Sequence, residues 1–141
     1  SIGSGNLKNL VDFQNNNFFK FKENADSEIC FDLKDKQIQI TNYSIKSYSD
    51  STNGDHLKSW VLEVSNDKKN WQKVDEHNND EHLNGQYVVA TFNTTKIEEF
   101  YQFIRLKQTG RNWHCNPGDF HTEFVFIEFY GKLRNKCDFH S

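Results

Sequence analysis

The sequence predicts an all-β protein, an antiparallel β-sandwich of about seven or eight strands. Three observations lead to this fold class. Apolar and polar side chains alternate over short runs, which is the pattern of strands with one buried face. No stretch of ten or more residues carries an apolar stripe with helical spacing. Aromatic residues make up 15% of the chain and all hydrophobic residues only 35%, and a few large side chains suit the gap between two packed sheets.

The alternating runs follow one another along the chain and are separated by polar turns. In one of them the apolar set changes parity between Ile40 and Tyr43, which predicts a β-bulge. Trp60 alternates with Leu62 and Val64 and is therefore assigned to the core, as is Trp71 after the next turn. A single helical turn is the expectation for 7–13. The predicted strands are 30–33, 37–46, 58–64, 71–75, 87–92, 100–107 and 124–130.

Connections between antiparallel strands alternate between the two ends of a sandwich. The turns predicted at one end, such as 34–36 and 66–70, are short, whereas those at the other end are long. Long loops on one end of a rigid scaffold are typical of a binding surface. This end is named the loop pole, and its predicted segments are 15–26, 48–57, 76–86 and 109–121.

Composition excludes several classes of partner. The net charge is −3 and the pI about 6.0, so no basic field is present that would attract nucleic acid or an anionic membrane. Apolar runs such as 124–129 are too short to cross a bilayer, and no signal-peptide pattern stands at the N-terminus. Cysteines 30, 115 and 137 form neither a disulfide framework nor a C-x-x-C motif, which favours thiols in a reducing compartment.

Four segments also match a known pattern, in order. They are Cys30-Phe-Asp-Leu-Lys, the stretch 57–71 (Leu-Lys-Ser-Trp-Val-Leu-Glu-Val-Ser-Asn-Asp-Lys-Lys-Asn-Trp), Phe100-Tyr-Gln-Phe-Ile-Arg-Leu, and Ile127-Glu-Phe-Tyr-Gly. Together they resemble the strands of discoidin domains, also called coagulation factor 5/8 type C domains. The resemblance implies a galactose-binding-like jelly roll whose loops at one pole meet the ligand. It leaves sugars, lipid head groups and protein segments open as ligands.

The segments 57–60, 77–85 and 106–110 resemble the intracellular branch of this family, which is found beside BTB/POZ domains. The secreted branch usually joins its ends by a disulfide and inserts apolar loops into membranes, whereas this chain has no cysteine before Cys30 and has polar loops. The resemblance implies a cytoplasmic domain, monomeric by itself, within a larger chain. We expect 1–5 to be a tag remnant or linker, 6–133 the domain and 134–141 a tail.

Candidate ligand-binding residues come from the predicted loop pole. Trp113 stands in an otherwise polar loop, where its ring either stacks on a sugar or fills a partner's pocket, or else folds back as a lid on the sandwich. Arg105, within a strand, is instead expected to form a structural ion pair with an adjoining strand. The polar residues that could bond hydroxyl groups or a peptide, each otherwise an ordinary solvated loop residue, are Arg111, His114, Asp119, Asp50, Asp55, Asp80 and Asn84.

Metal and enzyme motifs do not emerge. Five of the six histidines fall in the predicted loop segments, but none has the spacing of a structural zinc site. Related sandwiches often carry a calcium ion, yet no D-x-D-x-D loop is present, so no cofactor is predicted and a structural calcium ion stays an alternative. Asp80 and Glu81 with His77 and His82 are a conceivable acid/base set, but all belong to one loop. We therefore predict a non-enzymatic module that binds a protein or peptide, with a carbohydrate ligand as the alternative.

Overall fold

The structure is a computed structural model that describes residues 9–21, 27–114 and 121–136, apart from the side chains of 9, 10 and 14–18. The described residues form eight strands and no helix that could cross a membrane. The strands are β1 (Asn9–Phe21), β2 (Glu28–Asp32), β3 (Lys36–Ser47), β4 (Trp60–Ser65), β5 (Gln72–His77), β6 (Val89–Asn93), β7 (Phe103–Gln108) and β8 (Thr122–Asn135).

Two four-stranded antiparallel sheets pack face to face. The strand order is β1-β8-β3-β6 in the first sheet and β2-β7-β4-β5 in the second. Sequence neighbours thus alternate between sheets over much of the chain, as in a jelly roll. The predicted all-β jelly-roll sandwich is confirmed.

The predicted bulge in β3 is confirmed. The register between β3 and β8 shifts between Ile40 and Asn42. Gly131 pairs with Ile40 at this point, and a Cβ atom on Gly131 would lie 2.1 Å from the backbone oxygen of Gln39. Only glycine permits so close an approach of the two backbones, which explains the glycine that ends the Glu-Phe-Tyr-Gly segment.

One hydrogen-bonded chain of side chains joins the two sheets through the core. The indole N–H of Trp60 in β4, which is 0% exposed, donates to the hydroxyl of Tyr43 in β3 at 2.8 Å. That hydroxyl donates to Oδ2 of Asp75 in β5 at 2.7 Å. Burial, and then the Asp75 carboxylate, raises the pKa of Tyr43 well above its ordinary value, so the hydroxyl keeps the proton that it donates.

The N-terminal part of the chain contradicts the sequence prediction. β1 occupies Asn9–Phe21, where a helical turn at 7–13 and the start of a loop at 15 were expected. Val11, Phe13 and Phe19 pack against the core, but the register with β8 shifts between Gln14 and Phe19. This irregularity coincides with three consecutive asparagines, which hide the alternation. Residues 22–26 of the expected loop lie outside the described residues.

Two further strand predictions concern aromatic and charged residues outside the core. Trp71 is only partly buried, and the Arg105 guanidinium lies 4.0 Å from the centroid of its ring, so its assignment to the core is wrong. Arg105 confirms its predicted ion pair, because its Nη2 lies 2.7 Å from Oε1 of Glu63 on the adjoining β4. Cation–π contact and ion pair together explain why a tryptophan can cover the outer face of this sheet.

The strand directions confirm a pole of long connections. The connections 33–35, 66–71 and 94–102 lie at one end of the sandwich. The connections that follow β1, β3, β5 and β7 lie at the loop pole, and each crosses from one sheet to the other. The segment 48–59 joins β3 to β4. The segment 78–88 joins their neighbours β6 and β5 on one side, and the segment that begins at 109 joins their neighbours β8 and β7 on the other, so 48–59 lies between these two segments.

Candidate ligand site at the loop pole

Hydrogen bonds between side chains join the loops of the pole into one surface. The backbone N–H of Asn53 donates to Oδ1 of Asn84 at 2.7 Å, and the Asn84 amide donates back to Oδ1 of Asn53 at 3.0 Å. On the other side of 48–59, the Asn112 amide donates to Oδ1 of Asp55 at 3.2 Å. The predicted residues Asp55 and Asn84 therefore hold neighbouring loops together.

Asp50 stabilises the 48–59 segment from within. Its Oδ2 accepts the backbone N–H of Asp55 at 2.9 Å. Nε2 of the fully buried His56 lies 2.8 Å from the carbonyl oxygen of Asp50 and 2.9 Å from that of Ser51, and must donate, since carbonyl oxygens only accept. Nδ1 of His56 is buried without a hydrogen-bond partner among the described residues. This histidine is thus an internal support of the loop.

Asp80 is the centre of a second internal network. Its Oδ2 lies 2.7 Å from Nδ1 of His77, and its Oδ1 lies 2.7 Å from Nδ1 of His82. The other ring nitrogen of His77 lies 2.8 Å from Asp75, and its ring stacks on Trp60 with centroids 4.6 Å apart. Burial raises the pKa of Asp80, but hydrogen bonds from His82 and His77 outweigh burial and hold this pKa below its ordinary value. Of the conceivable acid/base set, Asp80 thus joins His77, which packs on the core, to His82, which is exposed, while Glu81 is exposed and has no bond in this network of described residues.

Trp113 lies partly exposed at the surface of the pole. The Nζ atom of Lys58 lies 4.5 Å from the centroid of its ring, so an ammonium group covers one face of the indole. The indole N–H is buried and has no hydrogen-bond partner among the described residues. Asn112, 1% exposed, holds the loop through bonds from its amide to Asp55 and to the His121 carbonyl. The indole is therefore not buried in the sandwich, and one of its two faces is covered by Lys58.

Charged groups of both signs lie around Trp113. Arg111 and His114 are both exposed, and the Arg111 guanidinium has neither a hydrogen bond nor an ion pair within the described part of the chain. The nearby carboxylates have partners: Asp55 accepts from Asn112, and Oε2 of Glu123 lies 2.7 Å from Nε2 of His121. The predicted residue Asp119 lies outside the described residues.

A tyrosine pair on the other side of 48–59 is absent from the sequence prediction. Tyr87 lies in the 78–88 loop, not in the strand predicted from residue 87, and is 49% exposed with a left-handed φ of 52°. Its backbone N–H donates to the Tyr48 carbonyl at 3.1 Å, and the two rings meet edge to face. A left-handed backbone is unfavourable for a bulky residue and often marks a functional or tightly held turn. The preceding Asn84-Gly85 pair is the turn signal that could have placed Tyr87 in a loop.

Metal-binding groups and thiols add little to the site. Over the described ranges, no three or more His, Cys, Asp or Glu side chains are placed to hold a metal ion. Cys30 is an exposed thiol on β2, away from the loop pole, while cysteines 115 and 137 lie outside the described residues. The chemistry that the pole offers is therefore hydrogen bonding, aromatic contact and positive charge.

Comparison with known families identifies the fold. The sequence profile of the F5/8 type C domain matches residues 1–121. The chain belongs to this family. F5/8 type C domains are typically non-catalytic binding modules, and carbohydrate is a common ligand among them. No curated protein sequence matches the chain significantly.

Several solved structures of similar shape are bacterial domains. A family 32 carbohydrate-binding module of Streptococcus pneumoniae EndoD has a TM-score of 0.62 and 12% identity, over 82% of this chain and 75% of that chain. CpGH89CBM32-5 from Clostridium perfringens, in complex with GalNAc-β-1,3-galactose, has a TM-score of 0.59 and 14% identity, over 86% and 94%. An F5/8 type C domain from Bacteroides fragilis has a TM-score of 0.55 and 17% identity, over 82% and 72%. At such identities the likeness shows the fold alone.

Proposed function

We propose that this F5/8 type C domain is a non-enzymatic carbohydrate-binding module that receives its ligand at the loop pole. The observation that carries the proposal is the partly exposed indole of Trp113, held in a hydrogen-bonded surface beside Lys58 and Arg111. An aromatic ring offers a large apolar contact at little entropic cost, and neighbouring polar groups fix the orientation of a ligand. This combination suits a sugar, which has apolar C–H faces and a rim of hydroxyl groups.

The comparisons favour the carbohydrate alternative over the protein or peptide partner that the sequence resemblance suggested. CpGH89CBM32-5 is in complex with GalNAc-β-1,3-galactose, and the Streptococcus pneumoniae EndoD neighbour is a carbohydrate-binding module. The internal networks of the pole also argue against catalysis, because Asp80 and His77 bond to each other and to the core. Groups so occupied support a rigid surface rather than proton transfer to a substrate.

The test is a glycan array followed by calorimetric titration of the best binders, with GalNAc-β-1,3-galactose as the first probe. Trp113→Ala should weaken binding by at least about tenfold, the usual effect of truncating a central aromatic contact. Trp71→Ala is the matched control, since it removes another partly exposed indole that lies under a cation but follows the turn at the opposite pole. The affinity of Trp71→Ala for the glycan should stay near that of the wild type even if the thermal stability of this variant falls.

Two results would contradict the proposal. One is an array on which no glycan binds the folded wild-type domain. The other is binding that Trp113→Ala leaves unchanged, which would move the site away from the Trp113 side of the pole.

A further inference from the structure

We infer that the Trp113 site prefers an acidic saccharide, whose carboxylate or sulfate group is held by Lys58 and Arg111. The inference rests on the carbohydrate-binding function proposed above and specifies the class of sugar. Both residues are cationic and belong to neighbouring loops. Lys58 lies against the indole of Trp113, and Arg111 precedes Trp113 by two residues.

Lys58 is held in place before any ligand arrives. Its side chain is partly buried, and its ammonium lies 4.5 Å from the ring centroid of Trp113. Its backbone carbonyl accepts the N–H of Asp80 at 2.9 Å, and the next residue, Ser59, accepts the N–H of Thr109 at 3.0 Å through its carbonyl. A cation placed on an aromatic face keeps N–H donors directed away from the ring, where an anion can accept them.

The described residues supply no carboxylate that neutralises this pair of cations. Neither Lys58 nor Arg111 has a carboxylate oxygen within 4.0 Å in the described ranges, whereas Arg105 on β7 is fully paired with Glu63. The Asp55 carboxylate accepts a hydrogen bond from the Asn112 amide and lies more than 4.0 Å from both cations, and the exposed Glu81 belongs to 78–88, across the 48–59 segment from Trp113. An incoming anion would therefore meet an ammonium and a guanidinium that form no ion pair with any described carboxylate.

A neutral sugar fits the same surface less well. Because the ammonium of Lys58 covers one face of the indole, a neutral ring reaches that face only by displacing it. An acidic ring can bind beside the ammonium and use both cations. Since Arg111 is exposed, this electrostatic gain must weaken as salt increases, which provides a readout that stacking alone would not give.

The experiment compares acidic saccharides with an uncharged ester. The probes are digalacturonic acid, its methyl ester and 6-sulfated galactose, titrated into the wild-type domain at low salt and at about 0.5 M NaCl. We expect at least one acid to bind about tenfold more tightly than the ester at low salt, with the advantage largely lost at high salt. The acid that binds more tightly identifies the anionic group.

Charge-removing variants locate the effect. Lys58→Gln and Arg111→Gln should each reduce the acid-to-ester ratio toward one, because each removes a positive charge that only the acid uses. Lys96→Gln is the matched control, because it removes an exposed lysine at the opposite pole. Arg111→Gln alters an exposed side chain that has no hydrogen bond or ion pair within the described residues, so it tests the acidic preference even if Lys58→Gln lowers stability.

The outcomes separate this inference from the proposed function. Equal binding of ester and acids, or a ratio that both variants leave unchanged, would refute the acidic preference and leave carbohydrate binding intact. Failure of every neutral and acidic saccharide would refute both. A glutamate-rich peptide that outcompetes the acids and depends on Lys58 would overturn both in favour of an acidic peptide ligand.

Discussion

Replacing Tyr43 by Phe removes one hydroxyl that serves two partners in the core. The indole N–H of Trp60 donates to this hydroxyl at 2.8 Å, and the hydroxyl donates to Asp75 at 2.7 Å. In the variant, the fully buried Trp60 loses its acceptor. Asp75 keeps two donors, since Nε2 of His77 lies 2.8 Å from Oδ2 and the backbone N–H of Glu76 lies 3.0 Å from Oδ1. The loss therefore falls mainly on the indole.

The expected destabilisation is about 3 kcal/mol. A buried donor left without an acceptor costs about 1–3 kcal/mol. A lost hydrogen bond to a carboxylate costs about 1.5–3 kcal/mol, and the lower end applies because Asp75 retains its other donors. For a domain of this size, the sum corresponds to a fall in Tm of about 10 °C.

Urea unfolding followed by tryptophan fluorescence measures this change directly. Tyr101→Phe is the control, because its hydroxyl donates to the exposed Gln72 at 2.9 Å and its loss should cost less than about 1 kcal/mol. If Tyr43→Phe unfolds within about 0.5 kcal/mol of the wild type at an unchanged m-value, the hydroxyl does not stabilise the join between the sheets and the reasoning is refuted.

Two other predictions concern the loop pole. Tyr87→Gly should be more stable than Tyr87→Ala by about 1 kcal/mol in urea unfolding, because both lose the ring but only glycine relieves the left-handed φ of 52°; equal stabilities would contradict this backbone conformation. The second follows from Asp80, whose pKa is lowered in the folded state: its carboxylate stabilises the fold above its ordinary pKa, and this stabilisation disappears as the pH falls below that value. The unfolding free energy of Asp80→Asn should therefore change less than that of the wild type between about pH 5 and about pH 3, and identical pH dependence would show that the His77 and His82 bonds do not hold the carboxylate.

Much of the scaffold could be predicted because strand patterning is local. Alternation with period two identified the bulge after Ile40, the burial of Trp60 and the ion pair of Arg105. The same rule failed for β1, where the asparagine run interrupts the apolar alternation. It also failed for Trp71, because alternation does not reveal that the Arg105 guanidinium, on β7, covers this outward-facing ring.

The candidate site depends on contacts that sequence reasoning did not connect. That Trp113, Arg111 and His114 contact a ligand stays a prediction, which was made from loop position and residue type. They could not reveal Lys58 on the indole or the buried Asn112, since each acts through a residue distant in sequence or through a carbonyl across the loop. A cytoplasmic location and a BTB/POZ-containing parent chain stay predictions.

The sequence by itself determined the sandwich, its alternating connections and the pole where long polar loops gather, because each depends on patterns within a few neighbouring residues. Only the tertiary structure decided which polar side chains of that pole are used internally. Asp50 and Asp80 bond to residues close to them in sequence, Asp55 and Asn84 bond to neighbouring loops, and Arg111 is exposed. Whether a polar group is satisfied depends on what the fold places within about 3 Å of it, and that distance is set by the packing of loops that the sequence separates.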